Sequence, residues 1–156
     1  MALGPLILIA PLLCWVAYSD LSRMKIPNAI SLIAVAIFAV AAIAAPPDDL
    51  VLRLAIAGAA LVLGFISYCF GLFGGGDVKM LAALLLFVPV PTLVLFAYVF
   101  SASMLVGIAI ILTLRRIPAA HRLGWKSISG SNKFPMGISI ALAGLAHPAA
   151  AMLILG

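Results

Sequence analysis

The chain has 156 residues, of which 67% are hydrophobic and only 8% charged. Water-soluble domains carry roughly 45–50% apolar residues, so this composition excludes one and requires an integral membrane protein. The net charge of +5 does not point to nucleic acid as a partner, because the nine Lys and Arg flank apolar runs instead of clustering on a polar domain.

A membrane span needs about 20 mostly apolar residues. Taken in chain order, the apolar runs predict six spans, at 3–20, 28–45, 51–73, 77–90, 92–114 and 135–155. The fourth is short, because Pro89-Val90-Pro91 breaks its run. The predicted fold is therefore an all-α integral membrane protein, one polytopic domain over 1–156. In the third span Gly64, Ser67 and Gly71 form a small-residue stripe of the kind that lets helices approach closely. Cys14 and Cys69 both lie in apolar runs and are expected to be buried small hydrophobes, since their spacing fits neither zinc nor a disulfide framework.

The connections set the orientation. Arg23, Lys25, Lys79, Arg115, Arg116, Arg122, Lys126 and Lys133 belong to one side, and only Arg53 to the other. The positive-inside rule puts the basic side in the cytoplasm and both termini on the non-cytoplasmic side. A cleaved signal peptide, cut near Ala17-Tyr18-Ser19, is disfavoured because no Lys or Arg precedes the first run.

The acidic residues carry the functional signal. There are four, and Asp48 and Asp49 lie in an external connection. Asp20 closes the first span and Asp77 opens the fourth, 57 positions apart in sequence but at the same predicted membrane depth. Ionisable groups at such places mark functional sites. Two carboxyls sharing a site hold one proton between them, so one can take a proton from water while the other protonates a carbonyl oxygen. A lone boundary carboxylate more often caps a helix or pairs with a basic loop. Gly74, Gly75 and Gly76 immediately before Asp77 argue against a plain connector, since they let a peptide lie against the main chain.

Other motifs carry less. The glycines lack the third glycine of a dinucleotide loop and the Gly-Lys-Ser/Thr of a phosphate loop, so no cofactor is called for. Ser22 and Lys25 have the Ser-x-x-Lys spacing but sit in a basic juxtamembrane loop. Lys79, two residues after Asp77 on a helix, points away from it and suits a headgroup contact or a supporting role. His121 and His147 are lone and on opposite sides, which leaves them as structural or loop residues and gives no metal site. Pro135 suits a first helical turn, and Gly137 leaves a close-approach surface near the depth of the two aspartates.

Three segments together resemble the type IV prepilin peptidases, membrane aspartyl proteases of the Gly-x-Gly-Asp class, in the short form associated with tight-adherence (Flp) pili. They are Asp20 followed by Ile26-Pro27-Asn28, the run Gly74-Gly75-Gly76-Asp77-Val78-Lys79, and Phe134-Pro135-Met136-Gly137. The resemblance implies a bacterial inner-membrane, multi-pass endopeptidase. Its catalytic pair would be Asp20 and Asp77. Gly74, Gly75, Gly76, Pro135 and Gly137 would shape the cleft, with Lys79, Pro27 and Asn28 in support. The implied partners are the lipid bilayer and a prepilin substrate, a short basic leader followed by an apolar helix. Long-form members carry paired cysteines linked to N-methylation in an N-terminal cytoplasmic region. Here the only cysteines lie in apolar runs, so the resemblance supports cleavage and not methylation. A proton-coupled transporter component and a non-catalytic pilus-assembly protein are the rival readings. The deep span positions offer a relay mainly Ser67, Tyr98, Ser101 and Ser103. Reporter tags in the 115–134 connection are expected to read cytoplasmic and tags at 46–49 external; a cytoplasmic C-terminus would overturn the six-span reading.

Overall fold

The computed structural model describes residues 4–129 and 134–155, and within them every regular element is helical. Lys133, counted among the basic-side residues, lies outside the described residues. The helices are α1 (Gly4–Leu8), α2 (Ala10–Arg23), α3 (Asn28–Ala44), α4 (Leu50–Cys69), α5 (Gly75–Leu85), α6 (Leu93–Arg116), α7 (Pro118–His121), α8 (Lys126–Ser129) and α9 (Met136–Leu155). A 3₁₀ turn at Val90–Thr92 leads into α6. Three segments are long and apolar enough to cross a membrane: Leu50–Cys69, Val90–Arg116 and Met136–Ile154. Asn28–Ala44 is apolar but shorter.

Several boundaries differ from the sequence reading: α2 runs on to Arg23, three residues past the predicted end, and α4 stops at Cys69, four residues short of it. The first run is divided at Ile9, where Pro11 in the first turn of α2 has no N–H with which to continue α1. The fourth begins two residues earlier than expected, at Gly75, and ends at Leu85, ahead of Pro89.

Helix α9 is the packing hub, lying against α2, α5 and α6. The α2 contact is antiparallel and rests on residues seven apart on each helix. Gly137 meets Asp20, and Gly144 meets Leu13. A Cβ on Gly144 would come within 2.6 Å of Leu13 Cδ1, so the glycine is what lets the helices approach so closely. Helix α5 is held between α3, α4 and α9 and buries Met80, Ala83 and Leu84. Gly64 of α4 lies against Val78 of α5, as the small-residue stripe requires. The other two stripe positions do not pack this way. Ser67 is half-buried and bonds to Leu63 O of its own helix, and Gly71 lies beyond α4 with φ 73°.

Cys14 and Cys69 are exposed, not buried. The correction has a simple cause. Where lipid replaces water, a small apolar side chain gains nothing by turning inward.

At the end of the bundle away from Asp20, one polar latch joins the chain. Asp49 accepts Arg53 Nε at 2.7 Å and the Val90 N–H at 2.8 Å. Arg53, 4% exposed, also donates to Leu86 O at 3.4 Å. The pair therefore grips both ends of the proline-containing connection after α5. Nearby, Thr92 Oγ1 donates to Pro89 O at 2.9 Å and lies 3.0 Å from His147 Nε2. Burial alone would raise the Asp49 pKa, but the Val90 and Arg53 hydrogen bonds and the Arg53 charge outweigh it and hold it below the ordinary carboxylate range. A lowered folded pKa contributes stability above the unfolded value that is lost as pH falls through the folded one. Asp49→Asn is therefore expected to destabilise the protein by about 2 kcal/mol near neutrality, between the values for exposed and buried pairs. The gap to wild type should narrow below about pH 4 in thermal melts; a pH-independent gap would deny the latch its ionic character.

Candidate active site

The other end of the bundle gathers the C-termini of α2, α4 and α6 and the N-termini of α3, α5 and α9. Asp20 lies in the last turn of α2, 4% exposed. Immediately after it the chain turns sharply. Met24 adopts a left-handed conformation (φ 53°, ψ 41°) and returns its N–H to Asp20 O. Ser19 Oγ donates to Lys25 O at 2.8 Å, and Ser127 Oγ of α8 donates to Leu21 O at 2.5 Å. The Met24 N–H and Ser127 bonds satisfy carbonyls that the helix end leaves open, the Ser19 bond ties the following turn back to the helix, and together they hold the Asp20 segment.

Asp20 is also held across the bundle. The N–H of Gly137, second residue of α9, donates to Asp20 Oδ2 at 2.5 Å. A Cβ at position 137 would fall 2.7 Å from that oxygen and 2.9 Å from Cγ, so no other residue fits without moving the carboxylate. The partial positive charge of a helix N-terminus suits an acidic partner.

Asp77 is the third residue of α5, partly buried, with Gly74 as the N-cap. Its carboxylate folds back onto the Gly74 N–H, the reciprocal half of a capping box. Here the capping reading of a boundary carboxylate is correct, and it does not exclude chemistry. Gly76 brings α5 onto the turn after α2, where a Cβ would come within 3.0 Å of Ile26 O.

The two aspartates are thereby brought together, near enough for the charge of Asp20 to act directly on Asp77. Both line the same two cavities, together with Met24 and Gly74. One cavity, of about 510 Å³, continues along Lys25, Pro27, Asn28, Gly75 and Gly76. The other, of about 600 Å³, continues along Tyr68, Leu72, Met104, Phe134 and Pro135. Gly74, Gly75, Gly76 and Pro135 thus border the aspartates. Gly137 borders neither cavity and instead supports Asp20. Lys79 is turned from Asp77 and donates to Asn28 Oδ1 at 3.0 Å. Sequence reasoning passed over Ser19, Met24, Tyr68, Met104 and Ser127. None belongs to a chemical motif, and each reaches the site only through the turn or the helix packing that carries it.

The sequence model of the type IV leader peptidase family matches residues 7–112. This chain belongs to the type IV leader peptidase family. The match takes in both aspartates of the leader peptidase and stops short of α9, where the Gly137 N–H joins the site through its bond to Asp20. Comparison with curated proteins and with solved structures gave no match.

Chemically, two carboxyls on a shared cavity can divide the work of hydrolysis, one accepting a proton from water and the other donating to a carbonyl oxygen. Gly137→Ala tests the support of Asp20. The added methyl is expected to cost about 1–3 kcal/mol of overpacking and, by moving a reacting group by about 1 Å, to lower turnover about a hundredfold. The assay is leader cleavage by protein confirmed to be folded and inserted; unchanged turnover would show that the contact is dispensable.

Proposed function

We propose that this leader peptidase is an aspartic endopeptidase that removes the short basic leader of type IV prepilins, of the Flp kind, on the cytoplasmic side of the bacterial inner membrane. The observation that carries the reading is the meeting of Asp20 and Asp77 on two shared cavities at the basic end of the bundle. In the described chain Arg23, Lys25, Lys79, Arg115, Arg116, Arg122 and Lys126 all belong to that end. In this reading the bundle crosses the bilayer six times. α1 and α2 act as one crossing and α5 as a short one, supported by its neighbours.

The chemistry follows from the pair. A water held between the carboxyls attacks the scissile carbonyl as one carboxylate takes its proton and the other carboxyl protonates the carbonyl oxygen. The tetrahedral adduct then collapses. The first carboxyl returns its proton to the departing amine, the second recovers the one it gave, and the C–N bond breaks. A substrate with a basic leader and an apolar mature helix presents its junction at the membrane boundary, the depth this reading gives to the pair. Aromatic rings at the same end support the boundary, with Tyr18 edge-on to Trp125 at 6.4 Å.

Asp20→Asn and Asp77→Asn are each expected to lower prepilin cleavage at least about 10²–10⁴-fold, with the double variant little worse than either single. Purified protein is incubated with a Flp-type prepilin and both fragments are weighed by mass spectrometry. Asp48→Asn serves as the neutral control, whereas Asp49 does not, because it carries the latch. A stably inserted variant of either dyad residue that still cleaves at the normal rate would turn the reading towards an assembly factor or a proton relay.

A further inference from the structure

A third cavity lies away from the dyad. Helices α3 and α4 both pack on α5 and leave between them an apolar groove of about 480 Å³. Its walls include Leu32 and Val35 of α3, Leu54 and Leu61 of α4, and Leu86 at the end of α5. Leu32 and Leu54 are 68% and 52% exposed, so the groove opens sideways from the bundle, toward lipid. Its one charged lining residue is Lys79, which stands beside Asn28 at the end nearest the aspartates.

Lys79 has no acidic partner among the described residues, where the only ion pair is Asp49–Arg53. Asn28 Oδ1 accepts from Lys79 Nζ, which orients the ammonium and leaves the Asn28 amide N–H groups as donors. Asn28 also begins α3, so N–H groups of that helix's first turn are open at the same place. An apolar slot with donors and an uncompensated cation at its boundary end matches an anionic amphiphile.

We propose that this groove binds an anionic phospholipid, its phosphate at Lys79 and Asn28 and one acyl chain along the α3–α4 groove. The length of the groove and the cation at its end suit one acyl chain below an anionic headgroup. From Asn28 to Val35 the groove wall runs about 10 Å, at 1.5 Å per residue, well within one leaflet of a hydrocarbon core of about 30 Å. A basic leader would be repelled by Lys79. The bound lipid joins α3 to α4, which share α5 as their common support, and sets a negative headgroup beside the dyad cavity that Asn28 also lines. The proposal needs only that the chain sits in a membrane and stands apart from the peptidase reading.

The test is native mass spectrometry of the detergent-purified full chain, titrated with phosphatidylglycerol and phosphatidylcholine of identical acyl chains. Wild type is expected to retain phosphatidylglycerol preferentially. Lys79→Gln, an exposed substitution, should weaken phosphatidylglycerol about fivefold, the usual contribution of one basic residue near an anionic surface, and leave phosphatidylcholine unchanged. A Cβ on Gly58, which also lines the groove, meets nothing within 4 Å. Gly58→Phe therefore fills the slot without a backbone clash and should reduce retention of both lipids. Equal retention of the two lipids by wild type, or no effect of Lys79→Gln, overturns the proposal. Displacement by inorganic phosphate as effective as by phosphatidylglycerol would mean a free-phosphate site. Displacement of the lipid by a neutral apolar helical peptide, lost in Gly58→Phe, would mean a helix-docking groove. Either of these also overturns the proposal.

Discussion

The contact between Asp20 and the start of α9 is the constraint on which the site depends. Asp20 stands in the last turn of α2, where the helix presents open carbonyls and a negative dipole end. What compensates is the Gly137 N–H, reached because position 137 has no side chain. The same absence recurs seven residues on, where Gly144 admits Leu13. The two glycines set the distance between α2 and α9. Because α9 also packs on α5, that distance bears on where Asp77 stands relative to Asp20.

The two ends of the bundle solve different problems. At the dyad end the helix termini are held by small groups: Ser19, Ser127, Gly74 and the N–H of Gly137. These leave space, and the space is the pair of cavities. At the far end Arg53 is almost wholly enclosed and is answered by Asp49 and Leu86 O, while Asp49 also accepts from the Val90 N–H. The far end is held by an ion pair, and the dyad end by main-chain and hydroxyl groups.

Lipid as solvent explains features that would look like faults in a soluble protein. Leu, Ile and Val are exposed along α4 and α6, and both cysteines face outward. Between helices in lipid the hydrophobic drive is weak, so close approach at glycines and a few satisfied polar contacts carry the specificity. His147 fits that pattern. It is fully buried, pairs with Thr92, and stacks edge-on to Phe96 at 5.4 Å.

The sequence by itself determined the solvent, the helical class, the excess of basic residues on alternate connections and the two isolated aspartates. All of these are written in composition and local order, because hydropathy, proline breaks and charge act over a few residues. The break at Ile9, the early start of α5 at Gly75 and the outward cysteines were less legible, since each depends on what a neighbouring helix or the lipid offers. That Asp20 and Asp77 share cavities was decided only by the tertiary structure. So were the support of Asp20 by Gly137, 117 positions away, and the bond from the Val90 N–H to Asp49, 41 positions away. Contacts at such separations are set by how closely helices can pack, and closeness depends on the pairing of a glycine with whatever faces it, which no single segment encodes.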